Sequence, residues 1–321
     1  MKELFRNCLS VEETDGWFVT SRFTKKQREY YEQIPHLKIR SRAATSVALR
    51  FKTSASKLSF DYKIGAKARA WAVVDVILGN KLYSSYTINT EVDEGRVELS
   101  LPAIPDAEIT VFLPHLVEIE IKDIKSDEPL IPVADGSYRW LALGDSITQG
   151  MVARSPFAAY PSKISSLCGW QLLNAGVGGI EFNADELDYI GYEPDLITIA
   201  LGTNDWGVPS AEEMTDRVSA YLDKLLSLYK CDNIYVITPI WRSDDNKIMG
   251  GLTFAEHCAA IVKAAERYPK IKVIDGYALV PHDITLFGDP AGNRQVHPNE
   301  EGFEYYSANL MKIIAKDIER G

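Results

Sequence analysis

A chain of 321 residues exceeds one average domain and points to about two, each long enough to bury a core without metals or disulfides. With 46% hydrophobic and 25% charged residues, the composition excludes a disordered or fibrous protein. A formal charge of −10 repels phosphate backbones and anionic lipid head groups, so neither nucleic acid nor a membrane surface is an expected partner.

No stretch approaches the roughly 20 consecutive apolar residues that span a bilayer. Met1 to Thr20 has no apolar signal core, and a cytoplasmic location is expected. Cys8, Cys168, Cys231 and Cys258 lack the close pairing of zinc sites or small disulfide frameworks and read as reduced packing thiols. No metal and no cofactor is expected.

From Trp17 to about Lys125 the pattern is that of strands. Leu58 to Ile64 and Val117 to Lys122 alternate apolar and polar residues, and Gly79-Asn80 makes a turn between Val73 to Leu78 and Lys81 to Ile88. Short strands without a convincing long helix predict a β-sandwich over residues 1–134. The Pro- and acid-containing segment Ser126 to Gly136 reads as a linker, which places the boundary near residue 135.

Residues 135–321 alternate strand and helix. Trp140 to Leu143, Leu172 to Leu173, Leu196 to Leu201, Ile234 to Thr238 and Val273 to Ile274 are short apolar runs, as in a parallel sheet covered on both faces. Ser210-Ala211-Glu212-Glu213 and Thr253-Phe254-Ala255-Glu256 match capping boxes at helix starts. Met214, Val218, Leu222, Leu225 and Leu228 then follow at helical spacing. The fold class is therefore α/β, preceded by an all-β sandwich.

In an open parallel sheet the reactive groups gather beyond the carboxyl ends of the strands. There the chain places Gly144-Asp145-Ser146-Ile147-Thr148, Asn174-Ala175-Gly176-Val177-Gly178-Gly179, Gly202-Thr203-Asn204-Asp205, and Val296-His297-Pro298-Asn299. Acyl transfer needs a nucleophile, a base and oxyanion donors, and these segments together supply all three types. Of the five histidines, His36 and His115 fall in the predicted sandwich, His257 on a helix face, and His282 has no companion motif, which leaves His297. No G-x-S-x-G elbow, Walker loop, H-E-x-x-H or complete G-x-G-x-x-G is present.

These four segments, in this order, resemble the four blocks of the SGNH/GDSL hydrolase superfamily over about residues 137–318. The resemblance implies a three-layer, flavodoxin-like domain, with Ser146 as nucleophile and His297 as general base. It also implies an oxyanion hole made by the N–H groups of Ser146 and Gly179 and the amide of Asn204. The layout resembles the two-domain carbohydrate esterases, whose jelly-roll-like sandwich precedes the SGNH domain.

One departure stands out. That family's last block usually reads Asp-x-x-His, but three residues before His297 stands Arg294. A backbone carbonyl, a loop acid such as Asp289 or Asp283, or a loss of activity would each account for this, and a Ser–His dyad oriented by a carbonyl is the expectation. Asp289 is the candidate third member, because the insertion Pro290 to Gln295 could fold it back. Asp145, Tyr160, Trp206 and Trp241 are the substrate-binding candidates, the rings as flat platforms for a sugar, with Trp206 foremost.

The expected activity is hydrolysis of short acyl esters, acetylated carbohydrates or oligosaccharides first, through an acyl-Ser146 intermediate. The alternatives are a thioester, lysophospholipid or other small acyl substrate, and a non-catalytic carbohydrate-binding protein. Nothing in the sequence sets the oligomeric state.

Overall fold

The computed structural model describes residues 1–208 and 210–318. In the strand Lys57–Lys67, Leu58, Phe60, Tyr62 and Ile64 are buried while the side chains between them are half-buried or exposed, and Val117–Ser126 repeats the pattern. Such one-sided burial requires a covering layer. A second antiparallel sheet provides it. One sheet runs Phe5–Arg6, Ala48–Thr53, Ala107–Phe112, Ala72–Leu78, Lys81–Ile88, with Ile131–Pro132 also paired to Ala48–Thr53. The other runs Ser10–Thr14, Trp17–Ser21, Val117–Ser126, Lys57–Lys67, Glu94–Ser100. Phe51, Val74 and Val111 from the first meet Phe60, Val97 and Val117 from the second in one core.

The chain between Ser21 and Ala48 departs from this plan. Two helices, α1 (Lys25–Glu32) and α2 (Pro35–Ser41), leave the sandwich. Thr24 and Gln27 form a complete capping box at the start of α1, and Pro35 occupies the first turn of α2. Phe23, Tyr31 and Leu37 are buried in the same cluster as Leu141, Val177 and Ile199 of the α/β half. At roughly 1.5–3 kcal/mol per buried side chain, these three rings and chains tie the halves together.

Five parallel strands form the second unit: Arg139–Gly144, Gln171–Gly176, Leu196–Ala200, Ile234–Ile237 and Ile271–Ile274, in the spatial order second, first, third, fourth, fifth. Ile131–Pro132, on the sandwich, and Arg139, on this sheet, lie on either side of residue 135. Arg6 spans the connection, pairing with Asp135 at 2.8 Å.

Both faces of this sheet are covered, which is why its strands read as continuous apolar runs. After the first strand comes the single turn α3 (Ser146–Gln149), and then α4 (Tyr160–Cys168). Two further helices, α5 (Ala211–Leu228) and α6 (Phe254–Ala265), pack with α1 and α2 on one face. The last helix, α7 (Glu300–Ile318), joins α4 on the other. Thr253 and Glu256 cap each other at the start of α6, and Ser210 caps α5 by accepting from Glu213 N–H. Among the described residues no helix is long and apolar enough to cross a membrane.

Candidate active site

The first strand delivers its residues to the carboxyl edge and stops at Gly144. The Asp145 side chain accepts from Ile147 N–H at 2.9 Å and so caps α3, leaving Ser146 as the first residue of the turn. Asp145 is buried beneath this turn, and burial pushes its carboxyl up to about 6 against the lowering effects of the Ile147 N–H and the nearby His297 and Arg242. It caps and packs beneath the turn and is not among the side chains that line the cleft described below.

The Ser146 hydroxyl lies 2.8 Å from His297 Nε2, and Nδ1 of the same ring lies 2.7 Å from Asp289 Oδ1. The dyad oriented by a carbonyl is thus corrected: a carboxylate occupies that place. Asp289 Oδ2 also accepts the N–H groups of Val296 and His297 at 2.7 and 2.8 Å. Burial alone would raise this carboxyl, but the His297 ring and those two N–H groups hold it below the ordinary range.

The insertion explains the geometry. Gly288 N–H donates to His297 O at 3.0 Å, Phe287 bridges Pro298, and Gln295 donates to Asp289 O at 3.1 Å, so residues 288–297 form a closed loop. Its two ends are adjacent, and the acid eight residues before the histidine reaches the ring. Arg294, at the usual acid position, instead lines the cleft. Asp283 caps a short helical turn through Thr285 and plays no part here.

The other segments converge on the same place. Ser146, Thr203, Asn204, Asp244, Lys247, Met249, Asp289 and His297 line an open cleft of about 710 Å³ together with Arg294. Asn204 Nδ2 donates to Ile180 O at 2.9 Å, which ties the third-strand loop to the glycine loop and leaves the amide a second hydrogen. Arg242, buried, sits behind this loop: it donates to Thr203 O at 3.1 Å and pairs with Asp244 at 2.6 Å. Among the described residues no acceptor takes the N–H of Ser146 or of Gly179.

The aromatic candidates are placed otherwise. Trp206 is buried against Phe254 under Arg242, its indole N–H spent on Leu252 O at 3.1 Å. Tyr160 is fully buried, stacked 4.2 Å from Tyr306 and bonded to Thr148 at 2.9 Å. Trp241 packs on His282 and Phe287. Trp206 and Tyr160 were drawn into the core, where they bury most area, Trp241 is half-buried against its edge, and none of these three lines the cleft.

Several residues at the site come from where a sandwich was expected. His36 and Arg40 lie on α2, not on a strand. Arg40 Nη1 donates to Gly178 O at 2.7 Å. Gln149 of α3 donates to Arg40 O and accepts from Gly178 N–H, both at 2.8 Å, locking α2, the turn that carries Ser146 and the glycine loop together. Gly179 sits at φ +83°, which disfavours a side chain, and a Cβ there would stand 2.5 Å from Arg40 Nη1 and 3.1 Å from His36, so the Arg40 guanidinium would have to shift. The Thr24-x-x-Gln27 signature and Pro35 were the local signals of this helical excursion. Of the remaining histidines, His115 and His257 are buried and bonded to the backbone oxygens of Gly150 and Gly202.

Solved structures share this fold across nearly the whole chain. A salicylyl-acyltransferase, SsfX3, from a tetracycline biosynthetic pathway aligns over 97% of this chain and 94% of its own, with 19% identity and a TM-score of 0.81. A GDSL-like lipase from Bacteroides ovatus covers 99% and 96% at 18% identity and a TM-score of 0.74. A family two carbohydrate esterase from Cellvibrio japonicus covers 98% and 96% at 15% identity and a TM-score of 0.65. No curated relative matches the sequence. The model of the GDSL-like lipase/acylhydrolase family matches residues 142–305, about half of the chain. With the sandwich-plus-α/β fold and the four segments at one sheet edge, the chain belongs to the GDSL-like lipase/acylhydrolase family and is an esterase-type hydrolase.

Proposed function

We propose that the protein is a serine esterase that removes short acyl groups, acetyl first, from hydroxyl groups of a polar, carbohydrate-sized substrate. The Ser146–His297–Asp289 relay carries this reading. Asp289 accepts the Nδ1 hydrogen of His297, so Nε2 is left as the acceptor for the Ser146 proton. Ser146 Oγ attacks the ester carbonyl as that proton passes to Nε2. The carbonyl oxygen, now negative, is held by the N–H groups of Ser146 and Gly179 and the free amide hydrogen of Asn204. Collapse expels the alcohol, which takes the proton from His297, and water then releases the acid by the same route in reverse.

The cleft supports the substrate class. Thr203, Asn204, Asp244, Lys247, Asn293 and Arg294 line it, with Met249 and Val296 as its apolar side chains. Such walls suit hydroxyl groups better than a long acyl chain. One structure of the same fold is a family two carbohydrate esterase from Clostridium thermocellum in complex with cellohexaose, at 13% identity and a TM-score of 0.61.

The test is a panel of nitrophenyl acetate, butyrate and octanoate beside acetylated sugars. The reading expects kcat/KM to fall with chain length and acetyl sugars to be turned over. A preference for octanoate would overturn the short-chain assignment.

A further inference from the structure

Gly178 C=O and Gly179 N–H belong to one planar peptide group, and among the described residues no peptide bond is cis. In a trans peptide the carbonyl and the N–H point in opposite directions. Arg40 Nη1 donates to Gly178 O at 2.7 Å, so the Gly179 N–H is directed away from the guanidinium. A Cβ on Gly179, which shares the carbonyl edge of this peptide, would meet Arg40 Nη1 at 2.5 Å. One on Gly178, which shares the N–H edge, would stand 3.3 Å from Ser146 Cβ and 3.1 Å from the aliphatic Cδ of Arg40. A cation thus holds one edge of the peptide, and Ser146 lies at the other.

The position of Arg40 is itself fixed. Gln149 donates to Arg40 O and accepts from Gly178 N–H, both at 2.8 Å, so the two residues share one bridging side chain. Arginine stays charged at any working pH. Arg40 is half-buried, and among the described residues no carboxylate pairs with it, which leaves its charge uncancelled. A charged donor makes a bond roughly twice as strong as a neutral one. By drawing electron density toward Gly178 O it strengthens the N–H at the other end of the same peptide, and linked hydrogen bonds polarise one another by about 10–30% each. The gain is largest when the acceptor is negative, as it is in the tetrahedral intermediate and not in the ester.

We propose that Arg40 is a positioning residue of the oxyanion hole: through Gly178 O it orients and polarises the Gly178–Gly179 peptide, so that the Gly179 N–H holds the oxyanion more tightly than the ester carbonyl. This rests on the esterase reading above. Arg40 is not among the side chains lining the Ser146–His297 cleft, and it acts through one peptide group. The helical excursion gains a purpose, since α2 carries a cation from the N-terminal half to the catalytic edge.

The experiment measures kcat and KM for nitrophenyl acetate, and Ki for an aryl trifluoromethyl ketone, whose adduct with serine carries the oxyanion. Wild type, Arg40→Lys, Arg40→Gln and Arg40→Met are compared as full-length proteins, with melting temperatures recorded. Arg40→Met is expected to lower kcat on the order of 10- to 100-fold with KM little changed, less than the loss of a whole donor. The ketone Ki should rise by the factor by which kcat/KM falls. Arg40→Lys keeps the charge and retains more kcat than Arg40→Gln, which keeps only a neutral donor. Arg42→Met, just past α2 and paired with Glu32, is the control with near-wild-type kcat. If Arg40→Met does not fold, the Lys and Gln variants, each with a donor for Gly178 O, carry the test. An unchanged kcat in Arg40→Met, a rise in KM alone, a Ki that does not follow kcat/KM, or Arg40→Gln as active as Arg40→Lys overturns this proposal and leaves the esterase standing. No turnover by wild type, with Ser146 inert to a serine-directed phosphonate, overturns both.

Discussion

Asp289 Oδ1 lies 2.7 Å from Nδ1 of His297, across a loop that its own backbone closes, and this contact decides how the histidine is oriented. An amide at position 289 would keep the shape but no longer fix the ring hydrogen on Nδ1. For Asp289→Asn we expect a fall in kcat on the order of 10³- to 10⁴-fold, with KM little changed, as in the serine-protease relay. Asp283→Asn, on an acid outside the relay, serves as the control and retains near-wild-type kcat. Equal effects of the two substitutions would reject the assignment.

Asn204 holds the glycine loop through Ile180 O and, in the proposed mechanism, the oxyanion with its other hydrogen. Removing one such donor costs on the order of 10²- to 10³-fold in turnover elsewhere. Asn204→Ala is expected in that range for kcat. Circular dichroism and thermal melting check that the loop change does not unfold the chain.

Gly179 is a second steric test. Its φ of +83° disfavours any side chain, and Arg40 and His36 occupy the space a Cβ would take. Gly179→Ala should lower kcat/KM for every ester, charged or neutral, by at least about tenfold, since strain at this turn moves its N–H away from the oxyanion. An unchanged profile would remove Gly179 from the oxyanion hole.

Glu186 predicts a pH effect on stability. Its carboxylic acid is buried, 3.2 Å from Tyr31 of α1, and burial pushes it up to about 8 from an ordinary 4.5, with Asp205 adding repulsion. The fold therefore favours the protonated acid. Its contribution is complete below about 4.5 and is lost as pH rises toward 8, because the unfolded chain ionises first. Glu186→Gln should melt at the same temperature as wild type, or lower, near pH 4.5 and at a higher temperature near pH 8. Melting curves that run parallel across that window would refute the placement of this charge.

Much of the layout is legible in the residues themselves. The alternation in Leu58 to Ile64 and the unbroken apolar runs of the parallel strands reflect burial on one face and on two, and burial is the term that dominates folding. The Thr253 to Glu256 box is likewise a local hydrogen-bond pattern. What escaped depends on contacts between distant segments. The eight-residue separation of Asp289 and His297 means nothing until Gly288 and His297 pair. Trp206 follows Asn204 and Asp205 into a loop, but whether its ring turns to solvent or core is settled by Phe254 and Leu252, which are nowhere near it in sequence. α1 and α2 are short and largely polar, and the few apolar side chains that anchor this stretch to the other half, Phe23, Tyr31 and Leu37 with Tyr30 and Ile34 partly buried beside them, form no long periodic run.

The central claim is that Ser146 is the nucleophile activated by His297. Incubation with a nitrophenyl alkylphosphonate, followed by peptide mass spectrometry, tests it most directly. The account predicts one adduct per chain, on Ser146, with labelling slowed strongly in His297→Ala and abolished in Ser146→Ala together with ester hydrolysis. An adduct on another residue, or undiminished hydrolysis by pure Ser146→Ala, would contradict it.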